Sequence, residues 1–264
     1  MPALRIVILT LLVATAAVPA LAGEGNWPSI REALFNDRSL EDGAAVLALD
    51  TPVRAEDAAV VPVTVRALIP QTPTRYIKTI HLIIDENPAP VAAVFRLFPE
   101  TGDATLSTRV RVNEYTSVHA VAETSDGILY AVERFVKAAG GCSAPALKDK
   151  EVAMARLGQM KLRPRGSFIP GEPNEVQLLI SHPNYSGLQI DQISRNWIPP
   201  DYVRKITVTY ADKPVLEVEG DISLSEDPSI TFRFVPDRPA TLGVQVLDSS
   251  ERRFQRGFEL GVGS

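Results

Sequence analysis

Short runs of alternating apolar and polar residues dominate this chain. Val61, Val63 and Val65 alternate with Pro62, Thr64 and Arg66. Ile80, Leu82 and Ile84 follow, then Ala93, Phe95 and Leu97. Leu106, Val110 and Val112 alternate with Ser107, Arg109 and Arg111, before the sets Val118, Ala120, Ala122 and Ile128, Tyr130, Val132. A period of two marks strands with one buried face. Turn residues separate them at Asp85-Glu86-Asn87-Pro88, Glu100-Thr101-Gly102-Asp103 and Ser125-Asp126-Gly127. Six or seven short strands at this spacing predict an antiparallel sandwich over 23–137.

The pattern breaks at 138–152, where small residues, Pro145 and mixed charges predict a linker. It resumes over 153–264 with Val176, Leu178, Ile180; Ile206, Val208, Tyr210; Ile230, Phe232, Phe234; Leu242, Val244, Val246; then Phe254 and Phe258. A second sandwich is expected there. The stretch from His182 to Asp201 is too polar and broken for a strand and predicts a long contact-making loop, with Trp197 and Tyr202 expected either to anchor it or to bind the neighbouring domain.

The start of the chain reads differently. Arg5, the apolar run Ile6 to Val18 and the small-x-small site Ala20-Leu21-Ala22 have the form of a cleaved secretory signal over 1–22. The run is too short for a comfortable membrane span. A short helix then begins near Pro28, with Ser29 and Glu32 at capping-box spacing and Ile30, Ala33 and Leu34 on its docked face. The formal net charge is −5, one unit more negative once Arg5 leaves, and no basic stretch invites nucleic acid or anionic membranes.

One cysteine, Cys142, lies in Gly140-Gly141-Cys142-Ser143. A lone thiol in an exported chain is unusual, because it can form no internal disulfide and is open to oxidation. Two preceding glycines free the backbone and let another surface come close. The expectation is a presented thiol on a loop formed with Gly140, Gly141 and Ser143, used as a covalent handle. His81 and His119 fall in strands, at solvent-facing or edge positions. With His182 they do not supply the four N/S ligands of a structural zinc site, so no metal, cofactor or catalytic residue is expected. Asp85-Glu86 and Glu226-Asp227 read as solvated turn carboxylates, and Asn184-Tyr185-Ser186 has the form of a glycosylation sequon.

Residues Trp27 through Cys142 resemble SoxY, on the exported start, Ala55 to Val63, and Gly140-Gly141-Cys142 after the last strand. Met154 to about Glu259 resembles SoxZ, on His182-Pro183 with Gly187, Ile198 to Val203, Asp221 to Ser225, and Phe232-Arg233-Phe234. The resemblance implies two immunoglobulin-like sandwiches packed as a fused carrier, similar to the SoxYZ-like proteins associated with quinoprotein dehydrogenases. Cys142 would be the attachment residue and the SoxZ-like half its structural partner. In the SoxY pattern the cysteine sits in a free C-terminal tail. Here Ser143-Ala144-Pro145 follows and the chain continues, so the arm is tethered at both ends.

The expected function is a periplasmic, non-catalytic carrier that holds a sulfur compound on Cys142 for sulfur-oxidising or quinoprotein dehydrogenase-linked enzymes. The second expectation is an accessory module of a periplasmic quinoprotein dehydrogenase system in which Cys142 is dispensable. The third is a thiol enzyme pairing Cys142 with a histidine.

Overall fold

A computed structural model of the protein describes residues 25–146 and 150–261; the expected leader over 1–22 lies outside them. The described chain opens with α1 (Trp27–Phe35). The first half forms β1 (Leu40–Asp42), β2 (Leu47–Asp50), β3 (Val61–Ala67), β4 (Ile77–Ile84), β5 (Val91–Leu97), β6 (Leu106–Val110), β7 (Thr116–Thr124) and β8 (Leu129–Val136). The short helix α2 (Lys150–Ala155) overlaps the end of the segment read as a linker. The second half follows with β9 (Met160–Pro164), β10 (Asn174–Ile180), β11 (Val203–Tyr210), β12 (Lys213–Gly220), β13 (Ser229–Phe234), β14 (Ala240–Asp248) and β15 (Arg253–Leu260).

The fold is all-β and immunoglobulin-like in its facing antiparallel sheets, as the alternation predicts. In β3 the residues Val61, Val63 and Val65 are buried while Pro62 and Arg66 are exposed, so the period-two pattern maps directly onto the two faces. β1 pairs with β8 in parallel; every other pairing among the described strands is antiparallel.

The two halves share both sheets. One sheet runs β1-β8-β7-β4-β5-β12-β11-β14-β15, the other β2-β3-β6-β13-β10-β9. The seam of the larger sheet is the β5–β12 ladder, with Phe95 opposite Val218 and Leu97 opposite Leu216. In the smaller sheet β6 meets β13 at Ser107 and Thr231. Each half thereby covers an edge of the other, which would otherwise expose unpaired backbone groups. A single apolar core extends from Leu49 and Ile80 through Phe95 to Val208 and Phe232.

The helix departs from its expected details. Pro28 sits in the first turn, but Asn26 is the N-cap position and Ser29 lies inside the helix, so no Ser29–Glu32 box forms. Asn26 instead donates from Nδ2 to Glu86 Oε2 at 2.8 Å, fixing the helix start to the β4–β5 turn. The docked face is Trp27, Ile30 and Phe35 against Ile83, Val121 and Leu129, whereas Ala33 and Leu34 are exposed. The two aromatic rings remove more apolar surface from water than Ala33 and Leu34 could, which sets the helix rotation. Among the described residues no helix is long and apolar enough to cross a membrane.

Candidate functional site

After β8 the chain runs back along the seam. Lys137 donates its amide to Val53 O, Gly140 to Asn113 O at 2.7 Å, and Gly141 to Val112 O at 3.0 Å. Gly141 touches the first half so closely that an added Cβ would lie 2.1 Å from Ala58 O and 2.6 Å from Val112 O. Gly140 adopts φ +78°, a left-handed conformation suited to glycine. The glycines therefore serve close approach and a turn, and they seat the loop instead of freeing it.

The second half closes over the loop from the other side. Ser186 Oγ donates to Cys142 O, and Gln189 Nε2 donates to Ala144 O at 2.8 Å. Gln189 Oε1 also accepts the Ser186 amide at 3.2 Å, so the two residues form one clamp. Both belong to the His182–Asp201 excursion, which folds as a finger through bridges Tyr185–Asp201 and Ile190–Trp197. Below it, Ser223 Oγ donates to Ala89 O and Ser225 Oγ to Ala59 O, each at 2.7 Å, strapping the second half to the first.

Cys142 is consequently 0% exposed. This corrects the expectation of a presented thiol: Gly140 and Ser143 reach solvent, while Gly141 and Cys142 are buried between the halves. Burial pushes the Cys142 thiol up from 9.0 to about 11, and the charge of Arg111 opposes the rise. The thiol is therefore protonated and unreactive while the loop is closed.

Arg111 is the site residue that the alternation hides. It reads as an outward strand position, yet it is 2% exposed. β6 ends at Val110, and Arg111 already lies in the seam, donating its amide to Ser223 O at 2.8 Å. Its Nη1 donates to Gly141 O at 3.2 Å and its Nη2 to Asn184 O at 3.3 Å. Burial lowers its pKa from the ordinary arginine value, while Glu226, Asp57 and, whenever it ionises, Cys142 push it upward.

Other expectations are also corrected. His119 lies on the outer face of the large sheet but is buried under Trp27, whose ring stacks on it at 3.8 Å, and its Nε2 lies 3.0 Å from Asp85 Oδ2. Asp85 and Glu226 are buried, so neither is a solvated turn carboxylate. Asn184 is buried, with Nδ2 donating to Leu224 O and Oδ1 accepting from Val203 N, so its amide is a structural bracket inaccessible to glycosylation. Trp197 holds the finger through its backbone bridge to Ile190, but its side chain is 65% exposed. With Ile193, which is 95% exposed, it lies at the finger's outer end. A groove of about 450 Å3 opens there between Pro145, Ala146 and Ile190.

His182, Asp201 and Asp248 place one ligand atom each within 4.8 Å of one another. Arg252 already bridges both carboxylates, with Nε at 2.6 Å from Asp248 and Nη2 at 2.5 Å from Asp201. His182 Nδ1 accepts the Asn184 amide at 3.0 Å, which leaves Nε2 to face Asp248. The guanidinium supplies the charge a cation would bring, and the cluster fixes the base of the finger. It serves the site by holding Asn184 in place.

Residues 31–142 match the family described as sulfur oxidation protein SoxY, and that match ends on Cys142 itself. Residues 164–259 match sulphur oxidation protein SoxZ. This is a fused SoxYZ-like chain. The strapping segment Asp221–Ser225 and the finger both come from its SoxZ part, and the cradled cysteine closes its SoxY part. Both parts are described as sulfur oxidation proteins. No curated protein matches the chain. Among solved structures, the sulfur carrier protein SoxY from Chlorobium limicola f thiosulfatophilum is 26% identical, covering 43% of this chain and 91% of its own, with a TM-score of 0.36. A superoxide reductase (neelaredoxin) from Ignicoccus hospitalis is 14% identical over 42% of this chain and 90% of its own, with a TM-score of 0.31.

The clamp makes a measurable claim. Ser186→Ala removes one hydrogen bond to a buried carbonyl, a loss of about 1 kcal/mol, and should raise the open population about 5-fold. The check is the rate of Cys142 alkylation at fixed pH, which should rise by the same factor.

Proposed function

We propose that this chain is a periplasmic, non-catalytic carrier that holds a sulfur-compound intermediate covalently on Cys142 and hands it to partner enzymes. The observation that carries this reading is the coincidence of three features at one residue. Cys142 is the lone thiol, the end of the SoxY match and the point clasped by the SoxZ part. The buried position assigns the SoxZ part a task. It keeps the thiol protonated and shielded until the loop leaves the seam, and the exposed flanks Gly140 and Ser143 offer a partner its first hold.

The test is intact mass spectrometry of the protein from its native compartment, with and without reductant, beside Cys142→Ser. A reducible mass increment that disappears in the variant is the expected result. Wild-type cellular function in Cys142→Ser would overturn the carrier reading.

Burial of the thiol favours a second reading. An accessory module of a periplasmic quinoprotein dehydrogenase system would use the chain's surfaces and treat Cys142 as a packing residue. The exposed Ile193 and Trp197 would then be the surface of interest, and Cys142→Ser would be silent while changes at those two residues would not.

A further inference from the structure

We propose that Arg111 is the counter-cation for an anionic sulfur group carried on Cys142, a persulfide or a thiosulfonate, with its unpartnered Nε as the donor the cargo takes up. The inference rests on the carrier reading and adds to it the residue that would balance the cargo's charge. Arg111 is 2% exposed, and its side-chain hydrogen bonds to Gly141 and Asn184 both go to neutral backbone carbonyls. Its Nε is buried without a partner. Among the described residues no carboxylate lies within 4.0 Å of it to form an ion pair. Glu226 and Asp57 act on it only from beyond contact, and a guanidinium kept out of water with neutral hydrogen-bond acceptors is an expensive arrangement that a close anion relieves.

The carbonyl that Nη1 holds is that of Gly141, the residue preceding Cys142, and the guanidinium lies near enough for the two charges to act on each other, so it is the cation at hand for a charged group on the thiol. The unloaded thiol, held neutral by burial, supplies no charge. A persulfide or thiosulfonate does, and its terminal atoms extend beyond the cysteine sulfur. Arginine suits this task because its planar fork can keep two bonds to the backbone while a third N–H turns to the cargo. Arg111 is thus a positioning residue that selects anionic over neutral cargo.

Two reagents separate charge from access. The Cys142 thiolate attacks an inner sulfur of tetrathionate, the central S–S bond breaks, thiosulfate leaves with the electron pair, and the Cys142 sulfur keeps an added S–SO3− group. With methyl methanethiosulfonate the thiolate attacks the sulfenyl sulfur, methanesulfinate leaves, and the Cys142 sulfur keeps an added, neutral S–CH3 group. Loop opening affects both rates equally and cancels in their ratio. In Arg111→Gln the tetrathionate-to-methanethiosulfonate ratio should fall about 10-fold, the scale of one charge contact at an effective dielectric near 20 after partial screening. Arg111→Lys should keep the ratio within about 2-fold, and the exposed Arg134→Gln should leave it unchanged. An unchanged ratio in Arg111→Gln overturns the proposal while leaving the carrier reading intact. If Cys142 takes up neither reagent in any variant, the carrier reading itself falls. Should Arg111→Gln not fold, the melting temperatures of the two loaded wild-type forms decide: the S–SO3− form must melt above the S–CH3 form, and an equal or lower value overturns the proposal.

Discussion

At pH 7 the Cys142 thiol of the folded protein should react with iodoacetamide about 100-fold more slowly than the same thiol in the unfolded chain. Only the thiolate displaces iodide, and each unit by which the thiol pKa is raised removes about nine-tenths of the thiolate at neutral pH. Burial moves this group from 9.0 to about 11 against the pull of Arg111. Closure adds a steric barrier on top. The pH profile identifies the route. Reaction through the closed state keeps climbing until pH passes about 11, whereas reaction through brief openings levels off near the ordinary thiol pKa with a small amplitude. The linked effect on stability has a fixed sign. The folded state favours the neutral thiol, so its contribution is complete below about 9 and is lost as pH rises through about 11. Cys142→Ala should flatten stability in that window. A native rate equal to the unfolded rate would rule out the closed loop.

Gly141→Ala should abolish the closed state. The new Cβ would meet Ala58 O at 2.1 Å, Ala58 C at 2.6 Å and Val112 O at 2.6 Å, all backbone atoms. They cannot yield cheaply, because Val112 N already donates to Ala58 O at 2.8 Å. The loop must lift away. It then gives up the bonds from Gly140 and Gly141 and those from Ser186 and Gln189, at about 1 kcal/mol each. Alkylation of Cys142 should rise by about 100-fold, to near the unfolded rate, while the sheets remain intact by circular dichroism. Gly140→Ala is the graded comparison. Open space surrounds that position, so only the left-handed backbone is strained, by about 1–2 kcal/mol, and the rise should be nearer 10-fold. A slow, wild-type rate in Gly141→Ala would show that the loop is not seated against Ala58.

The strands are readable because most bury an alternating set of residues, and sets such as Val61, Val63, Val65 and Ile80, Leu82, Ile84 record that directly. The seam is not. Phe95 and Val218 each look like an ordinary inward residue, and no local pattern says that their strands are neighbours. The cysteine is conspicuous, but its burial depends on where the carbonyls of Ala58 and Val112 lie, and Gly-Gly is equally compatible with a free arm and a seated one. Arg111 continues the outward alternation of Arg109, and only the end of β6 turns it inward. His119 does obey the alternation; what covers it is Trp27, from a helix whose docking a strand pattern cannot foresee.

The ladder between Phe95–Leu97 and Leu216–Val218 also makes the shield indifferent to dilution. Were the halves separate molecules, the cover around the thiol would assemble by mass action and come apart as the protein thinned out. On one polypeptide the partner is present at an effective concentration on the order of millimolar, whatever the amount of protein in the compartment. The thiol is then covered equally well in a scarce protein and an abundant one, and its exposure depends on opening of the loop and not on how much of the protein the cell makes.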